Sequence, residues 1–208
     1  MAILQKGSFF SFSGKVGDLV VVDLNGQKVV RSAPSTSPNR KLSPLEQLNR
    51  DMMKVTSQFL KPLHSVLKFG YKNLAPKGTR VAAFQQAQSH TRKNAIDFLE
   101  DGRAYVNPEK ILVFRGELNE PKQMEAMRTP NEIQVVWKKC KGMVLLLVAY
   151  AIDEGVVLFE EGVASSADGS FNWELEDKLS RFPQLHLYAG FYHIIKGNMS
   201  DSVYVGCV

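Results

Sequence analysis

Ser13-Gly14-Lys15-Val16-Gly17 is the stretch of this sequence closest to a phosphate-binding pattern. A phosphate loop needs glycine-rich backbone ending in Gly-Lys-Ser/Thr between a strand and a helix, so that amides and a lysine surround the anion. Here Val16 follows Lys15, and the strand-forming run Leu19-Val20-Val21-Val22 follows in place of a helix. The glycines therefore read as shaping a turn or bulge before a strand. The four histidines, His64, His90, His186 and His193, make no pair with metal-ligand spacing. His186 and His193 are seven residues apart in a strand-like run, which directs them to opposite faces. Ser165-Ser166-Ala167-Asp168-Gly169-Ser170 is a turn cluster and lacks the Gly-x-Ser-x-Gly form of a nucleophile elbow. Glu160-Glu161 and Glu174, Glu176 and Asp177 alternate as the solvated face of strands does. Cys140 and Cys207 form no Cys-x-x-Cys pair and read as buried free thiols, with a disulfide open only to neighbouring strands. The sequence thus predicts no catalytic residue, no metal and no cofactor, and a protein that is not an enzyme.

Charge is the stronger signal. Residues 1–104 hold 16 Lys and Arg against 7 Asp and Glu, a net of +9. Residues 105–208 hold 10 against 14, a net of −4. Such a split predicts two regions with different surfaces. In the basic half, Lys54, Lys61, Lys68, Lys72, Lys77, Arg80, Arg92 and Lys93 gather on and between two predicted helices, a surface able to meet phosphates. Helix-turn-helix spacing and an aromatic RNA platform are both missing from it. Phe9, Phe10 and Phe12 form an aromatic arm. As a strand, Phe10 and Phe12 share one face and Phe9 opposes them, so the arm is expected to be covered on both sides.

The elements follow from periodicity. Residues 8–32 predict a hairpin region with Asn25-Gly26 as its type I′ turn. Ser32 to Ser43, rich in Pro, Ser and Asn, predicts an extended linker. Ser43, Pro44 and Glu46 make a helix start, and Leu45, Leu48, Met52, Val55, Phe59, Leu63, Val66 and Leu67 follow at helical spacing. This helix is expected from Pro44 to about Phe69, disturbed at Pro62. A second is expected from Thr79 to Leu99, with Val81, Phe84, Ala87, Thr91, Ala95 and Phe98 inward. Beyond residue 104, strand-length runs at 110–114, 131–138, 143–152, 156–160, 169–175, 185–193 and 202–207 alternate with turn signals. They predict an antiparallel sandwich with Trp137, Leu146, Val148, Leu187 and either Ala189 or Tyr188 in its core. The longest apolar run, Met143 to Ile152, is about ten residues, half of what spans a bilayer. The first residues lack the pattern of a secretory signal, so the expected location is the cytoplasm, with export by another route or incorporation in a particle left open. The expected class is α+β in two domains: 1–104, a β-hairpin with a helical pair, and 105–208, a β-sandwich.

Three motifs carry a resemblance. Ser13-Gly14-Lys15-Val16-Gly17, the exit Val30-Arg31-Ser32-Ala33-Pro34 and the last strand Ser202-Val203-Tyr204-Val205-Gly206 together resemble a family of unknown function, of about 200-residue proteins, common in Bacteroidetes. Leu42-Ser43-Pro44 departs from the Asn-Pro-x-Thr type of cap frequent in that family, and the capping chemistry is kept. The C-terminal half is similar to a fibronectin type III or immunoglobulin-like sandwich, with Trp137 in its second strand and Tyr188 in the penultimate one. The family implies no activity. The expected function is that of a structural or interaction protein acting through protein–protein assembly, with itself or another protein. The alternative is a nucleic-acid-binding accessory protein using the basic half. No membrane partner is expected.

Overall fold

The computed structural model describes residues 2–4, 13–24, 27–34, 41–75, 82–174 and 181–208, in two compact units, Met1–Leu45 and Glu46–Val208. The first is a four-stranded antiparallel sheet. Strands β1 (Ala2–Leu4), β2 (Gly14–Val16), β3 (Leu19–Leu24) and β4 (Gln27–Ser32) lie in the order β1-β4-β3-β2. Gly17, at φ +56°, allows the tight turn that sets Val16 opposite Leu19. The Gly14–Val16 segment is thus an exposed strand followed by another strand, and the phosphate-loop context is lacking. β3 and β4 pair so that Leu24 faces Gln27, as a two-residue hairpin loop requires. Asn25 and Gly26 themselves lie outside the described residues. Val21 and Val29 are buried, and Lys28 reaches Asp23, its cross-strand neighbour, at 3.3 Å.

The second unit begins with the helices. α1 spans Pro44–Leu60 and α2 His64–Gly70. The interruption falls at Lys61-Pro62-Leu63, where Pro62 has no amide to continue the ladder. Leu60, Leu63, Val66 and Leu67 are buried on the inner side. A 3-10 turn, Lys72–Leu74, follows. α3 runs over Ala83–Asn94 and buries Ala87 and Thr91. It stops five residues short of the expected end. Ile96–Phe98 is instead β5, paired with β6 (Ala104–Val106). The turn between them is built by Asp101, whose carboxylate accepts from the Arg103 amide at 3.0 Å, and by Gly102 at φ +79°. Phe98 is therefore 52% exposed and not part of a helical stripe.

Lys110–Phe114 is not a strand. It follows a 3-10 turn, Pro108–Lys110, and its apolar residues Ile111, Val113 and Phe114 are buried without a ladder. Other groups satisfy its backbone. The Val113 amide donates to Ser202 Oγ at 2.8 Å, the Ser202 amide to the Phe114 carbonyl at 2.9 Å, and Tyr71 Oη to the Leu112 carbonyl at 3.0 Å. At Gly70, an added Cβ would collide with the Val113 carbonyl, so only glycine lets this segment pass so close.

The remaining strands are β7 (Glu125–Arg128), β8 (Glu132–Val136), β9 (Val144–Ala151), β10 (Val156–Ser165), β11 (Ser170–Glu174), β12 (His186–His193), β13 (Asn198–Met199) and β14 (Val203–Cys207). One sheet has the order β11-β8-β7. The other has the order β10-β9-β12-β13, with β14 also on β12. The chain changes sheet between β8 and β9, β10 and β11, and β11 and β12, the Greek-key connectivity of an immunoglobulin-like sandwich. Trp137, Leu187 and Ala189 lie in the core between the two sheets. Leu146, Val148 and Tyr188 point the other way, into a second core made with the helices. The Glu46–Val208 unit thus has three layers, helices, large sheet and small sheet. The charge boundary near residue 104 falls inside it and marks a change of surface within one packed body. Near its end β10 bulges. Glu161 pairs with Leu146 and Ser165 with Val144, so three residues around Gly162 oppose one.

Candidate interaction surface

Among the described residues no helix is long and apolar enough to cross a membrane, and no three His, Cys, Asp or Glu side chains converge as a metal site would need. His64 starts α2, His90 lies in α3, and His186 and His193 stand at opposite ends of β12. The two cysteines are free. Cys140 is half-buried beyond β8 and Cys207 is exposed on β14, so neither is the fully buried thiol expected.

Of the basic residues singled out above, the described ones lie on the three helices, on the break between the first two and on the 3-10 turn. Lys54 is exposed on α1, Lys61 in the break and Lys68 in the last turn of α2. Arg92 and Lys93 occupy the last turn of α3, where a cation complements the helix dipole. Lys61 lines a groove with Ser57, His64, Phe84 and Gln88, bridged by a 2.7 Å hydrogen bond from Gln88 Nε2 to Ser57 Oγ. Lys72 is taken up in packing. Its ammonium lies 4.3 Å from the Phe69 ring centre and 4.5 Å from that of Tyr192, and donates to Tyr192 Oη at 3.1 Å. Phe9, Phe10, Phe12, Lys77 and Arg80 lie outside the described residues.

The structure does bring residues together at the end of the sandwich where β8 passes to β9, β10 to β11 and β12 to β13. Ser166, fully buried, organises the first two connections. Its carbonyl accepts from the Trp137 indole and the Cys140 amide, each at 3.0 Å. Its hydroxyl donates to the Cys140 carbonyl and accepts from the Met143 amide, each at 3.2 Å. Gly169, at φ +83°, leaves room for the stem of Lys139 to lie across it. The Lys138 amide donates to the Lys122 carbonyl at 3.0 Å, so Lys122, Lys138, Lys139 and Lys141 ring this connection. Beside Lys122 stands Gln123, the one described non-glycine residue with a positive φ, 52°. Backbone in that region is costly and tends to mark functional surfaces.

The third connection is a hairpin turn from His193 to Asn198. Within it the Gly197 amide donates to the His193 carbonyl at 2.8 Å and the Lys196 amide to His193 Nδ1 at 3.3 Å. From the helix layer, Asn73 Nδ2 donates to the Gly197 carbonyl at 2.8 Å, and Lys72 sits on Tyr192 beneath the turn. This held turn presents Ile194 at 65% and Ile195 at 92% exposure, with Lys196 beside them. Two grooves lie at this end of the unit. One, of about 340 Å³, is lined by Met143, Val144, Tyr192, His193, Ile194 and Ile195 among others. The other, of about 290 Å³, shares Met143 and is lined by Lys122, Lys138, Lys139, Cys140 and Phe191.

Neither isoleucine is singled out by strand or helix periodicity. The available signal was their position: two β-branched apolar residues after the end of a strand and directly before Lys196-Gly197-Asn198, a turn sequence in which such residues are out of place. No curated protein and no solved structure matches the chain. The model of one family covers residues 11–206, from the first glycine hairpin through the last strand; the chain belongs to the family of unknown function DUF6266.

Proposed function

We propose that this chain is a non-catalytic interaction protein acting through protein–protein contact, and that the contact is made by the loop end of its sandwich. The observation that carries this reading is the Ile194–Ile195 pair, held out into solvent by a turn fixed from both sides. Burying an isoleucine is worth roughly 1.5–3 kcal/mol, so the pair can contribute about two to four decades of affinity at about 1.4 kcal/mol per decade. A turn ordered before binding avoids the entropy that a loose loop would lose on docking. The surrounding lysines would steer an anionic partner and set its register.

The test is a photo-crosslinking residue at position 195 of the full chain, in cells that naturally carry it, with the exposed strand position Met127 as control. Discrete protein adducts from position 195 that Ile194→Ser removes are expected. Equal labelling from both positions, or none, would remove the reading. The basic helical surface offers a nucleic-acid alternative, and salt separates the two. Retention on nucleic acid that falls steeply with ionic strength and is lost with Lys54→Glu, Lys61→Glu and Lys68→Glu would favour that alternative.

A further inference from the structure

We infer that α3 is an acid-released element of the helix layer, with His90 as the group whose protonation frees it. Among the described residues, the buried side-chain polar atoms without a hydrogen-bond partner are His90 Nδ1 and Thr91 Oγ1, neighbours on this helix. A neutral imidazole can leave Nδ1 as a bare lone pair, but an imidazolium carries a hydrogen on both nitrogens. Protonation would place a charged donor at a buried position with no acceptor, which costs more than an unpaired lone pair does. α3 is poorly secured against that cost. Its fully buried residues are Ala87 and Thr91, and Ala82, at its N-cap, has no side-chain acceptor for the first amides. Segments with so little buried apolar area open at a fraction of the global cost.

The surroundings of the ring act in the same direction. Burial holds His90 below the ordinary histidine value of 6.5, the Arg115 guanidinium adds to this, and the Asp201 carboxylate opposes it. Asp201 is itself engaged, its Oδ1 accepting from the Gly116 amide at 2.9 Å. Both charges also act on Tyr71, so phenol, imidazole, guanidinium and carboxylate form one cluster beside α3. α3 packs on α2, on the 3-10 turn and on β5. The charged and titratable groups of those elements are His64, Lys68, Lys72 and Asp97, with Lys61 in the groove beside Gln88. His64 stacks on Phe84 at 4.6 Å between ring centres, Lys72 is bound to Tyr192, and Asp97, the carboxylate among them, is taken by Lys110 and Asn107. α3 itself adds Arg92 and Lys93. The folded ring thus resists a proton that the unfolded chain accepts. Its contribution to stability is whole above pH 6.5 and is lost as pH falls from there through the lower folded value. Release of α3 withdraws packing from the 3-10 turn whose Asn73 and Lys72 hold the Ile194–Ile195 turn, whatever that turn binds.

The experiment is amide hydrogen exchange on the full chain, expressed as protection relative to an unstructured peptide at the same pH. It runs between about pH 7.5 and 5.5, the range in which histidine changes charge. In the wild type, protection of the α3 amides is expected to fall several-fold across that range while that of β9 holds. His90→Gln, which stays neutral, should keep α3 protection flat. Arg115→Gln, at an exposed position, should shrink the wild-type fall, because the ring then accepts its proton in place more readily. Flat protection in the wild type, or an equal fall in wild type and His90→Gln, would overturn the inference. Should His90→Gln melt abnormally at the higher pH, the wild-type ring decides by its own magnetic-resonance titration. A midpoint below 6.5 that tracks the loss of α3 protection supports the inference, and one at or above 6.5 overturns it.

Discussion

The two faces of the large sheet are buried by different means. The face toward β8 and β11 is covered by another sheet, and its core is Leu145, Leu147, Ala149, Leu187, Ala189 and Phe191 against Ile133, Val135 and the two tryptophans. The face toward the helices is covered by helix ends and irregular chain, and it is rich in tyrosine. Tyr71 donates to the Leu112 carbonyl, Tyr150 to Phe59 and Tyr188 to Pro108, at 3.0, 3.0 and 2.9 Å. Each of these carbonyls belongs to backbone outside any strand. A sheet satisfies its own backbone through its ladder, so its partner face can be dry. A layer with helix ends and turns leaves carbonyls over, and a buried carbonyl without a donor costs about 1–3 kcal/mol. The tyrosines supply ring area and a donor together.

That contrast can be broken by substitution. Tyr188→Ala should be the most damaging, losing a fully buried ring and a tether, by about 4 kcal/mol in denaturant unfolding. On the other face, Leu147→Ala removes only apolar contact and should cost about 3 kcal/mol. A result in the reverse order would deny the tyrosine face its added burden. Tyr188→Phe isolates the tether. It keeps the ring and should still cost about 1.5 kcal/mol through the unpaired Pro108 carbonyl; no loss would mean the hydroxyl is dispensable.

Alkali sharpens the contrast further. Burial raises all three tyrosines above the ordinary phenol value of 10.0, Tyr150 to about 12. The folded values lie above the unfolded one, so their contribution is whole below pH 10; that of Tyr150 is lost as pH rises through about 12, and those of Tyr71 and Tyr188, shifted further, at still higher pH. Alkaline unfolding should therefore start on the helix side, with amide exchange rising first in the helices, and Tyr150→Phe should move the midpoint upward. The smallest effect belongs to Lys72→Met. Cation–π contact at a partly exposed site is worth about 0.5–1 kcal/mol, and the melting point should barely move. The loss should show instead as faster exchange of the Gly197 amide, since the turn loses a support.

Much of this architecture could be read from residue order, and particular residues show where reading failed. The unbroken run Met143–Ile152 marked a strand, and its lack of alternation is explained by β9 being buried on both faces. Pro62 marked the helix break. Lys110–Phe114 looked like a strand because its side chains are apolar, but its backbone partners are Ser202 and Tyr71, far off in sequence. β7 escaped notice because its outward residues are exposed and its run is four residues long. For the candidate surface, the lysines of the helices drew attention by number. The isoleucine tip depends on Asn73 meeting Gly197 across 124 positions, a contact no local pattern announces.

The bulge in β10 has a consequence for the protein at high local concentration. β10 is an outer strand of the large sheet, and unpaired edges of this kind recruit further strands and seed aggregates. Here two adjacent glutamates, Glu160 and Glu161, are followed by the three-against-one irregularity around Gly162, at φ +71°. An incoming strand would meet negative charge and then a backbone whose spacing it cannot match. Sideways accretion is refused along that margin, and crowding alone should not glue these molecules flank to flank.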